Sequence, residues 1–127
     1  MKIIGIVQAR MGSTRFPGKV MRAISGVPMI GLLLERLSKS NKLTKIIVAT
    51  SKNTSDDALG NYVKSLKYTV YRGDEGDVLK RFYLAAKQER ADVIVRITGD
   101  CPLIDAELVD EVIEGFVNSN ADYASNR

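Results

Sequence analysis

The chain has 127 residues, 45% of them hydrophobic, which suits one packed domain and excludes a disordered chain. It contains a single cysteine and no histidine. These counts exclude an internal disulfide framework, a cysteine- or histidine-ligated zinc site, and any nucleophile system that relies on imidazole. Enzymatic chemistry on this chain would therefore rest on carboxylates, Lys and Arg, backbone amides or a hard metal ion. No apolar run reaches the roughly 18 residues that span a bilayer. The N-terminus lacks a signal-peptide pattern, so the expectation is a cytoplasmic protein with no membrane partner.

The net charge of +4 is unevenly placed. Residues 3–34 hold no acid and four bases, Arg10, Arg15, Lys19 and Arg22, while the remaining 15 Lys and Arg match the 15 Asp and Glu. Residues 100–122 reverse the sign, with seven acids and no base. A basic loop and an acidic stretch in one small domain suit a polyphosphate with its metal ion. They suit a nucleic-acid surface less well, since such surfaces spread their charge over a face. The bland alternative is ordinary solvated charge.

Short β-branched runs alternate with helical patterns. Ile3–Val7, Lys45–Ala49, Tyr68–Tyr71 and Asp92–Ile97 read as strands covered on both faces. Pro28–Leu37 reads as a helix with proline in its first turn. Ser55 is placed to cap a second helix with Asp56 and Asp57 in its first turn and Ala58, Leu59, Tyr62, Val63 and Leu66 as its buried stripe. Asp77 is placed to cap a third, with Val78, Leu79, Phe82, Tyr83 and Ala86 on one face. Asp105 is placed to cap a fourth, where Leu108, Val109, Val112, Ile113, Phe116 and Val117 repeat at helical spacing and Ile104 with Val109 forms a staple. This order predicts an α/β fold with a doubly wound, mostly parallel sheet. Ala121–Ala124 reads as the start of one more strand. The pattern closes without a final element, so the expectation is a single domain that is a fragment or an unusually short form. An unpaired edge there would favour self-association, which makes a homodimer one expectation.

The first predicted strand runs into Gln8-Ala9-Arg10-Met11-Gly12-Ser13-Thr14-Arg15-Phe16-Pro17-Gly18-Lys19. Ligands of parallel α/β sheets bind outside the carboxyl ends of the strands, where this loop begins. Gly12 and Gly18 permit close backbone approach, Ser13 and Thr14 offer hydroxyls, and Arg10, Arg15 and Lys19 are suited to surround phosphate oxygens. The spacing is neither a Walker A loop nor the G-x-G-x-x-G of dinucleotide folds. Later, Asp100 sits in Thr98-Gly99-Asp100-Cys101-Pro102, just past a predicted strand. That position suits either a magnesium ligand or a turn before Pro102. Cys101 reads as a small packing residue, because no histidine exists to activate it. Thr50 and Ser51 end the second strand and suit either a pyrimidine-ribose contact or local capping. Arg81, four residues after Asp77, reads as one half of an exposed ion pair.

Five ordered motifs carry a family resemblance: QARMGSTRFPGKVM at 8–21, G-x-P-M-I at 26–30, VATS at 48–51, RGDEGDVLKR at 72–81 and RITGDCPLID at 96–105. Together they resemble the cytidylyltransferases that make CMP-activated acidic sugars, such as CMP-KDO and CMP-sialic acid synthetases. The branch containing spore coat polysaccharide biosynthesis protein F looks closest. The resemblance implies a Rossmann-like nucleotide-diphospho-sugar transferase fold, CTP as donor, a sugar acceptor and Mg2+ as cofactor. It implies that Ala9, Arg10, Gly12, Ser13, Thr14, Arg15 and Lys19 contact the nucleotide, with Arg10, Arg15 and Lys19 acting on the triphosphate. Thr50, Ser51 and Asp77 would lie toward the nucleoside, and Asp100 would hold the metal. Cys101 departs from the CMP-KDO pattern, which has an acid there. The family's further metal carboxylates lie in its C-terminal half, beyond this match. Asp105 and Asp110 do not replace them, since both fit helix capping and a solvated helix face. Three alternatives stand beside this reading: a nucleotide-binding module without turnover, a sugar nucleotidyltransferase that uses a different nucleoside triphosphate, and nucleic-acid binding. The last is weakest, because Phe16 is the only aromatic residue near the basic loop.

Overall fold

The computed structural model describes residues 2–11, 21, 23–24, 26–73, 78–98 and 104–119. Four parallel strands form one sheet: β1 (Ile3–Gln8), β4 (Lys45–Ser51), β5 (Thr69–Gly73) and β6 (Val93–Thr98), in the order β5-β4-β1-β6. A short antiparallel ribbon of β2 (Ala23–Ile24) and β3 (Val27–Pro28) leads into the first helix. Gly26 sits in its turn at φ +86°, a conformation that costs glycine little.

Helices α1 (Met29–Leu37), α2 (Asp57–Ser65), α3 (Val78–Gln88) and α4 (Ala106–Ser119) alternate with the strands. Strand alternation sorts the core into two layers. Val7 and Val48 meet Ile30, Leu33, Leu34 and Leu37 of α1 and Leu59 and Val63 of α2. Ile4, Ile6, Ile47 and Ala49 meet Phe82, Ala85 and Ala86 of α3 on the opposite face. Helices on both faces of a parallel sheet make the fold doubly wound, as the residue pattern predicts. A Cβ at Gly31 would collide with the Tyr62 hydroxyl, so glycine at this point leaves room on α1 for the Tyr62 side chain of α2.

Several local readings change. The second helix is entered through a 3-10 turn at Thr54–Asp56, and its cap is Asn53, whose side chain accepts from Ser55 N at 2.9 Å. Ser55 is therefore the capped residue and not the cap. Ala58 is exposed and Leu66 is 38% exposed, which leaves Leu59 and Val63 as the fully buried side chains of α2. In α3, Leu79 and Tyr83 face solvent, and the buried stripe is Phe82, Ala85 and Ala86. Arg81 is buried and lies against Gly73 rather than on an exposed face, while Asp77, its expected partner, lies outside the described residues. In α4, Ile113 is buried while Leu108 and Val117 are exposed. The Asp105 cap holds, accepting from Glu107 N at 2.9 Å, and Ile104 and Val109 both pack against the α1/α2 layer. The proposed cap Asp77 and the strand start at 121–124 lie outside the described residues.

Asp110 also differs from a solvated helix face. Its carboxylate accepts from the Ser40 hydroxyl, from Asn41 N at 2.8 Å and from Lys42 N at 3.2 Å, and so ties α4 to the turn before β4. Partial burial alone would raise its pKa. The hydrogen bonds from Ser40, Asn41 and Lys42, with the Lys42 charge, outweigh burial and hold it below the usual carboxylate value. A depressed folded-state pKa gives stability that is present above the unfolded value near about 3.9 and lost as pH falls through the folded value. Asp110→Asn sets an amide donor against backbone donors and is expected to cost about 1–2 kcal/mol at neutral pH. Thermal unfolding of both proteins should show a constant gap between about pH 5 and 8 that narrows below about pH 4.

Candidate nucleotide site

Sheet order fixes where a site can form. From β1 the chain crosses to β4 on one side, while β6 enters on the other, so the carboxyl ends of β1 and β6 flank a topological switch point. Gln8 of β1 is paired with both Ala49 of β4 and Thr98 of β6. Arg10 and Asp100 each follow two residues after one member of the Gln8–Thr98 pair. The glycine-basic loop and the acidic motif therefore leave the sheet from neighbouring strand ends.

The described part of the loop is its entry. Ala9 is buried, and its N–H extends the ladder by one bond to Ala49 O at 3.2 Å. Arg10 follows, half-buried. Met11 N donates to Asp56 Oδ1 at 2.7 Å. Met11 and Met21 both pack against the α1/α2 layer, so the chain enters and leaves the loop from anchored positions. Gly12, Ser13, Thr14, Arg15 and Lys19 lie outside the described residues, as do Asp77, Asp100 and Cys101.

Thr50 and Ser51 end β4 at the same edge, and both side chains are 0% exposed. Ser51 donates its hydroxyl to Asp56 and accepts from Asn53 N at 3.2 Å. The Thr50 hydroxyl has no hydrogen-bond partner among the described residues. Buried hydroxyls rarely stay unpaired, so this oxygen stands out among the described residues.

Two residues here do more than the motif reading assigns, which gives Arg72 of RGDEGDVLKR only a place, with Gly73, in the wall near the nucleotide base. Asp56 reads as a first-turn helix acid, yet it is 2% exposed and bridges Ser51 to Met11. Arg72 braces the turn after β4: Nε donates to Ser51 O at 2.7 Å and a terminal nitrogen to Asn53 O at 2.8 Å, and the other lies 2.8 Å from Asp57 Oδ1. Sequence carries little signal for either, because both roles depend on partners brought together by strand order. Among the described residues no cluster of three or more carboxylate or cysteine side chains is placed to hold a metal ion. Asp100, the residue expected to hold a metal, is not among them.

Comparison with known proteins agrees with this geometry. Spore coat polysaccharide biosynthesis protein SpsF of Bacillus subtilis is 38% identical over 95% of this chain, which covers 52% of that protein. The solved structure of a cytidylyltransferase from Leptospira borgpetersenii superposes with a TM-score of 0.91 at 38% identity, over 95% of this chain and 51% of its own. That of CMP:2-keto-3-deoxy-manno-octonic acid synthetase complexed with CTP gives 0.85 at 25% identity, over 95% and 49%. The chain thus spans about half the length of these relatives and has the nucleotide-diphospho-sugar transferase fold. Residues 4–127 match the family Cytidylyltransferase, and the chain belongs to it.

Proposed function

We propose that this chain forms the nucleotide-binding half of an enzyme that transfers CMP from CTP to a sugar hydroxyl. An acidic sugar destined for a cell-surface or spore-coat polysaccharide is the favoured acceptor. The sugar oxygen forms a bond to the α-phosphorus, the bond to the bridging oxygen of the β-phosphate breaks, and pyrophosphate leaves. Catalysis of this kind rests on positioning and charge neutralisation, which accords with a chain that has no histidine. Arg10, Arg15 and Lys19 hold the triphosphate and stabilise charge on the leaving group. Ala9, Gly12, Ser13 and Thr14 supply close backbone and hydroxyl contacts. Thr50, Ser51 and Asp77 lie toward the nucleoside, with the buried Thr50 hydroxyl as the donor best supported by geometry. Magnesium, when bound, screens phosphate charge, and Asp100 is the residue that would hold it. No described helix is long and apolar enough to cross a membrane, and a cytoplasmic location accords with a need for CTP.

The observation that carries this reading is the exit of two family motifs, Arg10 and Asp100, from paired strand ends at the switch point. A thermal-shift panel of CTP, UTP, GTP and ATP, with and without magnesium, tests it. A ligand at about 100 times its Kd stabilises by roughly 2.7 kcal/mol, a shift of several degrees in Tm. Stabilisation by CTP with magnesium and by no other nucleotide is the expected result. A larger response to UTP or GTP would reassign the donor, and no response to any nucleotide would end the reading. A second reading is nucleotide binding without turnover. Pyrophosphate release with candidate sugars separates the two.

A further inference from the structure

We propose that Asp56 is a positioning residue that sets the entry of the nucleotide loop. This inference rests on the nucleotide reading above. Asp56 is 2% exposed, and each of its carboxylate oxygens has a defined partner. Oδ1 accepts from Met11 N at 2.7 Å, across 45 residues of sequence, and Oδ2 accepts from the buried Ser51 hydroxyl. Ser51 is itself fixed as the last residue of β4, with its carbonyl held by Arg72 at 2.7 Å. Arg72 also pairs with Asp57, the next residue after Asp56. The carboxylate is therefore held on a rigid turn before it reaches across to the loop.

The position of this bond gives it its function. Met11 N is the last backbone donor before Gly12, the first glycine of the loop sequence. One residue earlier, Arg10 lies between two fixed points, the Ala9 N bond to Ala49 O and the Met11 N bond to Asp56. Without Asp56 the second point is lost and the backbone beneath the Arg10 side chain is free to rotate. The placement is notable on charge grounds too. A buried acid beside a loop meant for a triphosphate opposes anion binding electrostatically, so its presence there calls for a geometric role.

Geometry and charge are separable by substitution. Asp56→Asn keeps an oxygen for Met11 N and removes the charge. Asp56→Glu keeps the charge and moves the oxygens by one methylene. Asp56→Ala removes both. Two quantities are to be measured on each protein: the hydrogen-exchange rate of the Met11 amide relative to Val7 and Val48, and the Kd for CTP with magnesium. Asp56→Ala and Asp56→Glu are expected to speed Met11 exchange at least about tenfold and to weaken CTP at least about tenfold, with Val7 and Val48 still protected. Asp56→Asn is expected to stay within about threefold of the parent on both counts. If Asp56→Ala fails to fold, Asp56→Glu reports the same contrast.

Parent-like CTP affinity in Asp56→Ala or Asp56→Glu would overturn the proposal. So would Asp56→Asn binding as weakly as these variants, since that result would make charge the relevant property. If the parent itself binds no nucleotide, the nucleotide reading fails on that result alone. Met11 exchange then decides the clamp, and unchanged exchange in Asp56→Ala overturns it.

Discussion

Leu34→Ala is expected to destabilise the domain by about 2–5 kcal/mol, lowering Tm by roughly 10–20 °C. Leu34 is fully buried at the centre of the α1/α2 layer among Val7, Leu33, Val48, Leu59 and Val63. Truncation removes its transfer free energy and leaves a cavity between a helix and a four-stranded sheet whose backbones are pinned by ladder bonds. The helix also anchors a neighbour through this residue, since the Tyr68 hydroxyl donates to Leu34 O at 3.2 Å. The informative control is Leu79→Ala. Leu79 is 74% exposed on α3, and its truncation is expected to change stability by less than about 0.5 kcal/mol. Chemical denaturation of the two variants measures both values. Equal losses would mean that α3 turns the Leu79 side, and not the Phe82 side, toward the sheet.

Arg10→Ala and Lys19→Ala are each expected to weaken CTP binding by about 10- to 150-fold, the equivalent of roughly 1.5–3 kcal/mol for a charge-assisted hydrogen bond. For Arg10 the structure supplies a reason for the upper part of that range. Its backbone is held on both sides, by Ala9 N on Ala49 O and by Met11 N on Asp56, so binding orders only the side chain. Lys64→Ala, an exposed cation on α2, is the control and should leave affinity unchanged. Titration calorimetry at two salt concentrations gives the values. Losses below about threefold at both positions would remove the triphosphate role from this loop.

The four strands of the main sheet were legible to within two residues from their β-branched runs, although Ile94 and Arg96 leave one face of β6 exposed, and the short β2–β3 ribbon carries no such run and was not read. Helix positions were nearly as clear, but the choice of buried face was less so. In α3 the spacing fits two overlapping stripes, one through Leu79 and Tyr83 and one through Phe82, Ala85 and Ala86. The larger side chains lie on the wrong one. Packing geometry decides the matter: α3 lies over Ile4, Ile6, Ile47 and Ala49, where small alanines let the helix approach. In the site, the motifs point to a phosphate loop by local composition, and its residues 12–20 lie outside the described residues. Asp56 was illegible for the opposite reason. Its partners are a residue 5 positions earlier and one 45 positions earlier, and only the β1–β4 pairing brings them together.

The central place of β1 has a consequence for the newborn chain. β1 leaves the ribosome before either of its neighbours, and it pairs on one side with β4, where Ile4 meets Lys45, and on the other with β6, where Ile3 meets Val93. At about 5–20 residues per second, roughly 5–20 seconds of synthesis separate β1 from its second neighbour. During that interval an apolar strand with no acid near it has at most one edge satisfied. Its folding is therefore tied to translation speed between residues 45 and 98, and slow synthesis over that stretch would prolong the exposure of the strand around which the sheet is built.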